Sequence, residues 1–170
     1  MSATFSLVGS PSGNGAADLG IQFKVKNTSG TSTNFHFFEY ANFVLGNTPS
    51  DTVQFLNSNA VFQVGNLGSV TENAAATGGS GFPAPMHHEA GVVFDTLNKL
   101  TGGTPVFLSD TNFAGPGDVT WAFEWDLPIN AGNSSLFSKD ISVLIPEPSS
   151  VSLVAAGIAG LCLLRRRRKS

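Results

Sequence analysis

The stretch Val119-Thr120-Trp121-Ala122-Phe123-Glu124-Trp125-Asp126-Leu127 decides how this chain is read. Large apolar side chains fall on every second residue, the two-residue period of a strand with one face in a core. Trp121, Phe123, Trp125 and Leu127 share one face, and Thr120, Ala122, Glu124 and Asp126 share the other. The pattern predicts a strand whose first face is buried and whose second is solvated. Gly115-Pro116-Gly117-Asp118 supplies a turn before it and Asn130-Ala131-Gly132-Asn133 a turn after it.

Working outward, the same period recurs. Leu19, Ile21, Phe23 and Val25 alternate with Gln22, Lys24 and Lys26, and Asn27-Thr28-Ser29-Gly30 closes that strand in a turn. Phe137, Ile141, Val143 and Ile145 share one parity in a strand that closes the body. Val53–Leu56 and Ala60–Val64 read as a hairpin about Asn57-Ser58-Asn59. The segment from Asn34 to Leu45 carries aromatics on both parities (Phe35, Phe37 and Phe43; Phe38 and Tyr40), which predicts a central strand packed on both faces or one with a bulge, core packing being preferred over a ligand platform of exposed aromatics. Asn73 to Glu89, with Gly78-Gly79-Ser80-Gly81 and Pro83-Ala84-Pro85, reads as a loop. Val93, Leu97 and Leu100 recur at helical spacing, with Asp95 and Lys99 as an i,i+4 pair and Gly102-Gly103 as the stop. Val106–Leu108 reads as a brief strand. The expectation is a mainly β chain, an antiparallel β-sandwich with a jelly roll as the alternative, carrying one short helix. This body spans residues 1–145.

Residues 146–170 are different in kind. Pro146-Glu147-Pro148 is followed by an uncharged run from Val151 to Leu164, then by Arg165, Arg166, Arg167, Arg168 and Lys169. The two prolines favour an extended, accessible linker. The apolar run is slightly shorter than the roughly 20 residues of a full membrane span, and the basic side chains can reach the interface to extend it. Such a basic block is held on the cytoplasmic side. The sequence therefore predicts a single membrane helix, with the body outside and the C-terminus in the cytoplasm.

Motif, apolar segment and arginine cluster together resemble the PEP-CTERM sorting signal of Gram-negative bacteria. That resemblance implies processing by exosortase, transient anchoring in the inner membrane, and delivery to the cell surface or exterior among proteins that accompany exopolysaccharide or biofilm. The body adds to the likeness. Phe38-Glu39-Tyr40-Ala41-Asn42-Phe43, the Phe94–Gly102 helix, Gly117 to Asp126 and Ser138-Lys139-Asp140 are similar to stretches in the bodies of proteins with this tail. Such proteins normally begin with a secretion signal. Met1-Ser2-Ala3-Thr4-Phe5 has no basic n-region and no apolar h-region, and Ala3–Val8 already reads as a strand, so a lost N-terminus is expected.

Charge fits export. All twelve acidic residues and only four lysines precede Val151, leaving residues 1–150 near −8 and residues 151–170 near +5. An acidic body excludes the clustered lysines and arginines that nucleic acid requires. The single cysteine, Cys162, lies in the apolar run and reads as a small hydrophobe, so the body is expected to be held by packing alone.

Candidate chemistry is sparse. In His87-His88-Glu89, Val92 stands where a zinc protease would place its second histidine. A metal site joining His36 to that pair would need the fold to bring them together; a solvated histidine pair is the simpler reading. Glu124 and Asp126 lie about 7 Å apart on one strand face, a spacing open to a glycosidase pair or a calcium site but equally that of any polar strand face. No catalytic residue, metal ligand or cofactor is assigned. The leading expectation is a non-enzymatic envelope or matrix protein. A carbohydrate-binding module is the alternative and needs Trp121, Trp125, Phe35 and Tyr40 on the surface. A secreted hydrolase is the second alternative and needs a pocket with converging carboxylates or histidines around Glu124, Asp126 and His88.

Overall fold

The computed structural model describes residues 1–9, 15–46, 49–77, 83–103 and 106–145. Its elements are β1 (Ser2–Gly9), β2 (Ala16–Lys26), β3 (Thr33–Asn42), β4 (Asp51–Asn57), β5 (Ala60–Gly65), β6 (Gly68–Thr77), β7 (His87–Val92), α1 (Asp95–Thr101), β8 (Phe113–Gly117), β9 (Val119–Ile129) and β10 (Ser134–Leu144). One sheet has seven strands in the order β1-β2-β10-β6-β5-β4-β8, the other three in the order β3-β9-β7, and the strand pairings are antiparallel. The chain is therefore mainly β, with antiparallel sheets and one short helix.

The two sheets share one core. Phe37 of β3 stacks on Phe137 of β10 with ring centroids 4.0 Å apart, and Phe55 of β4 meets Phe123 of β9 edge-on at 5.3 Å. Trp121 and Trp125 are 0% and 2% exposed and fill the middle of this layer. In β2 the alternation holds: Ile21 is buried and Leu19, Phe23 and Val25 half-buried, while Gln22, Lys24 and Lys26 are exposed. The hairpin about Ser58 and Asn59 is also present, with β4 and β5 in register from Thr52↔Val64 to Phe55↔Val61 and a shift of register before Asn57↔Ala60.

Two of the crossings between the layers, after β2 and after β9, are neighbouring corners, and Asn27 joins them. Its Nδ2 donates to Ile129 O at 2.7 Å and to Thr31 O at 2.8 Å, while its Oδ1 accepts from Ser29 N at 2.9 Å. The Asn27 main chain bonds Asn133 O and the Gly132 amide. Gly132 has φ 75°, a left-handed conformation that glycine adopts without a Cβ penalty.

Several sequence expectations are corrected. β3 is an edge strand, not a central one; its second face is covered only in part, leaving Phe38 and Tyr40 half-buried. Asn73–Thr77 is part of β6 rather than loop, with Ala74 and Ala76 buried, and His87–Glu89 begins β7. Gly115–Gly117 belongs to β8 rather than to a turn, and Val106–Leu108 forms no strand. Lys99 reaches Glu89 rather than Asp95. The outer face of β9 is not solvated: Thr120, Ala122 and Glu124 are all 0% exposed, because α1 and the segment from residue 106 to 112 lie over it.

Candidate functional site

That covered face gathers most of the residues singled out for chemistry. Glu124 lies between Phe38 on β3 and His87 on β7, its cross-strand partners. Its Oε1 is 2.6 Å from His36 Nε2, and its Oε2 accepts the Leu108 amide at 2.7 Å. Glu89 projects from β7 on the same face and accepts four bonds. These come from Thr96 Oγ1 at 2.7 Å, Lys99 Nζ at 2.5 Å, Ser109 N at 2.9 Å and Ser109 Oγ at 2.5 Å. Burial alone would raise the Glu89 pKa, but the Lys99, Ser109 and Thr96 bonds outweigh it and hold the carboxyl below its ordinary value. Gly91 permits this packing: a Cβ there would stand 2.7 Å from Thr96 Oγ1.

The three histidines meet the same region without converging. His87 and His88 are consecutive in a strand and so point to opposite faces. His87 Nδ1 pairs with Asp110 Oδ2 at 2.8 Å on the outer side, and His88 Nε2 meets Asn112 Oδ1 at 2.8 Å with its ring against Phe55. The Phe107 ring packs against both His36 and His87, with centroids at 5.4 and 6.0 Å. Among the described residues, no three His, Cys, Asp or Glu side chains form a metal-holding group. The reading of His87 and His88 as a solvated loop pair is thus corrected; they are bonded strand residues. Asp126 stands two residues beyond Glu124 at the half-buried end of the strand, and Glu124 itself has its oxygens occupied. This constellation ties an overlying segment to a sheet and leaves no open pair of carboxylates.

The open concavity is elsewhere. A groove of about 520 Å³ crosses the outer face of the seven-stranded sheet over β1, β2, β10 and β6. Thr4, Ser6, Gln22, Asn73, Ser138 and Asp140 line it, with Gly20 in its floor. Its chemistry is that of hydroxyls and amides with one carboxylate. Sequence periodicity placed Gln22 on a polar strand face and read Asn73 as loop, and gave no sign of a hollow across these strands.

The sorting residues Pro146, Glu147 and Pro148 and the basic block Arg165, Arg166, Arg167, Arg168 and Lys169 lie outside the described residues, as does the expected membrane helix. Among the described residues no helix is long and apolar enough to cross a membrane. Residues 144–169 match the family described as the PEP-CTERM protein-sorting motif. The chain thus carries a PEP-CTERM sorting signal, which implies exosortase as processing partner and a membrane-associated precursor bound for the cell surface. A comparison with curated proteins gave no match.

Proposed function

We propose that this chain is an exported envelope or extracellular-matrix protein, anchored transiently in the inner membrane by its C-terminal helix and processed by exosortase, with no catalytic activity of its own. The match over residues 144–169 carries this reading. Its topology follows from the charge of the tail: the arginines stay in the cytoplasm and the acidic β body lies outside. The occupied state of Glu124 and Glu89 supports a structural rather than a catalytic body. The deciding experiment is intact mass and C-terminal sequencing of the protein from a host with and without exosortase. Loss of the basic tail only when the enzyme is present supports the reading; identical C-termini in both hosts overturn it.

A second reading, binding of exopolysaccharide in a biofilm matrix, is favoured by the groove over β1, β2, β10 and β6. Hydroxyl and amide side chains match the hydrogen-bonding of neutral sugars. An aromatic platform does not contribute: Trp121 and Trp125 are core residues. Co-sedimentation with the host's own polysaccharide, compared between the wild type and Gln22→Ala/Asn73→Ala, tests it; equal sedimentation of both overturns the groove as the binding surface.

A further inference from the structure

Three ionisable side chains lie between the sheets, where the period of their strands demands apolar ones. Lys139 of β10 is on the inward parity of Phe137 and Ile141 and is 12% exposed. Glu72 of β6, cross-strand partner of Ile141, is 0% exposed, and Glu39, facing them from β3 in the opposite sheet, is 7% exposed. Lys139 Nζ is in direct contact with Glu39 Oε1 and stands 3.7 Å from Glu72 Oε2. The indole Nε1 of Trp121 donates to Glu72 Oε2 at 3.3 Å.

The protonation of this trio is uneven. Burial, then the charge of Glu39 and a bond to it, push the Glu72 pKa up to about 9, against the opposing pull of Lys139 and Trp121. Glu72 is therefore a carboxylic acid at neutral pH. Glu39 Oε2 and Glu72 Oε1 are both buried without a hydrogen-bond partner. A largely buried site thus holds an amine, a carboxyl in contact with it and a proton donor. An ion pair alone explains this poorly, since apolar residues of similar volume usually stabilise a core at least as well.

We propose that Lys139 and Glu39 condense into an isopeptide bond that covalently joins β10 of one sheet to β3 of the other, with Glu72 assisting as general acid and base. For the reaction a proton moves from Lys139 Nζ to the Glu39 carboxylate that it touches. The neutral amine then attacks Glu39 Cδ. Glu72 donates its proton to the departing hydroxyl and recovers one from the nitrogen. A C–N bond forms, a C–O bond breaks, one water leaves, and Glu72 ends as it began; no oxidant or activating group takes part. Fixed contact between the reactants replaces activation, as in oriented intramolecular reactions whose effective molarities reach roughly 10⁵–10⁸ M. The link would span 100 residues of sequence in a body without cysteine, where a disulfide would otherwise serve.

The test is the intact mass of the full chain after denaturation, followed by peptide mapping. The expected mass is one water below that required by the sequence, with a branched peptide joining residues 39 and 139. The full sequence mass in folded wild-type protein overturns the proposal, as does a missing water that maps elsewhere or persists in Lys139→Arg. Glu39→Gln should expel ammonia instead and arrive at the same final mass as the wild type. Glu72→Gln, folded by circular dichroism, should retain its unreacted mass at least tenfold longer; conversion at the wild-type rate would remove Glu72 from the reaction. The outcome is independent of the tail, so failure here leaves the sorting reading untouched.

Discussion

The amide of Leu108 donates to Glu124 Oε2 at 2.7 Å, deep beneath a segment that forms no strand of its own. The next amide, that of Ser109, donates to Glu89 instead. Two adjacent peptide groups thus use two glutamates on neighbouring strands, and an irregular segment gains the hydrogen bonds that a sheet would otherwise have supplied. Glu124 is a fastening, and its burial follows from what it fastens.

Replacing Glu124 by Leu keeps the volume and removes the acceptor. The Leu108 amide is then buried without a partner, which costs about 1–3 kcal/mol. Urea unfolding should show a lower midpoint for Glu124→Leu. An unchanged midpoint would mean that the overlying segment contributes nothing to the folded state.

Glu89 sets an acid limit. Its folded pKa is below the ordinary carboxyl value of 4.5, so the native state binds fewer protons than the unfolded chain as the pH falls past that value. The stabilisation is complete above pH 4.5 and is lost as the pH drops through the lowered folded value. Thermal unfolding between neutral pH and pH 3 should therefore decline less steeply in Glu89→Gln than in the wild type. Parallel profiles would assign the acid sensitivity to other carboxyls.

Gly91→Ala tests the fit of the helix. The new Cβ would stand 2.7 Å from Thr96 Oγ1, the atom that donates to Glu89. Relieving the clash shifts α1 outward, at a cost of about 1–3 kcal/mol. Amide hydrogen exchange should accelerate over α1 while β2 and β10 keep their protection. Exchange unchanged over α1 would contradict the packing described.

Asn27 holds both corners. Asn27→Ala leaves Ile129 O without its side-chain donor and should destabilise the chain by about 1–3 kcal/mol. Asn27→Asp keeps the acceptor for Ser29 but loses the donor, so chemical denaturation should place it near Asn27→Ala. Wild-type stability in Asn27→Asp would show that the Ser29 bonds alone suffice.

The tail is tested by Glu147→Ala within Pro146-Glu147-Pro148. In a host with active exosortase, mass spectrometry of the variant should find the arginine block still attached, where the wild type has lost it. Equal processing of both would exclude Glu147 from the recognised motif.

How legible the chain is depends on whether solvent touches one face of each strand. In β2 it does, and Leu19 to Lys26 reads correctly from alternation alone. In β9 it does not. Glu124 looks like a solvent-facing residue because nothing local to it reveals that residues 106–112 return to cover it. Glu39, Glu72 and Lys139 obey the inward period of their neighbours, but charge in a strand argues for an outward face, so the buried trio is visible only once three distant strands are brought together. Asn73–Thr77 reads as loop because small residues carry little hydrophobic signal, yet Ala74 and Ala76 are buried. The groove is lined from four strands, which no single segment encodes. The sorting signal needs no tertiary context, and residue order alone reveals it.

The body is joined to its tail through β10, which ends at Leu144 in the interior of the seven-stranded sheet, paired with β2 on one side and β6 on the other. A tether pulled from that end loads the strand along its own length. Both flanking ladders must slip together, since neither can be peeled open one rung at a time. A body dragged by flow while still fixed to its membrane would therefore resist in shear, across two ladders at once.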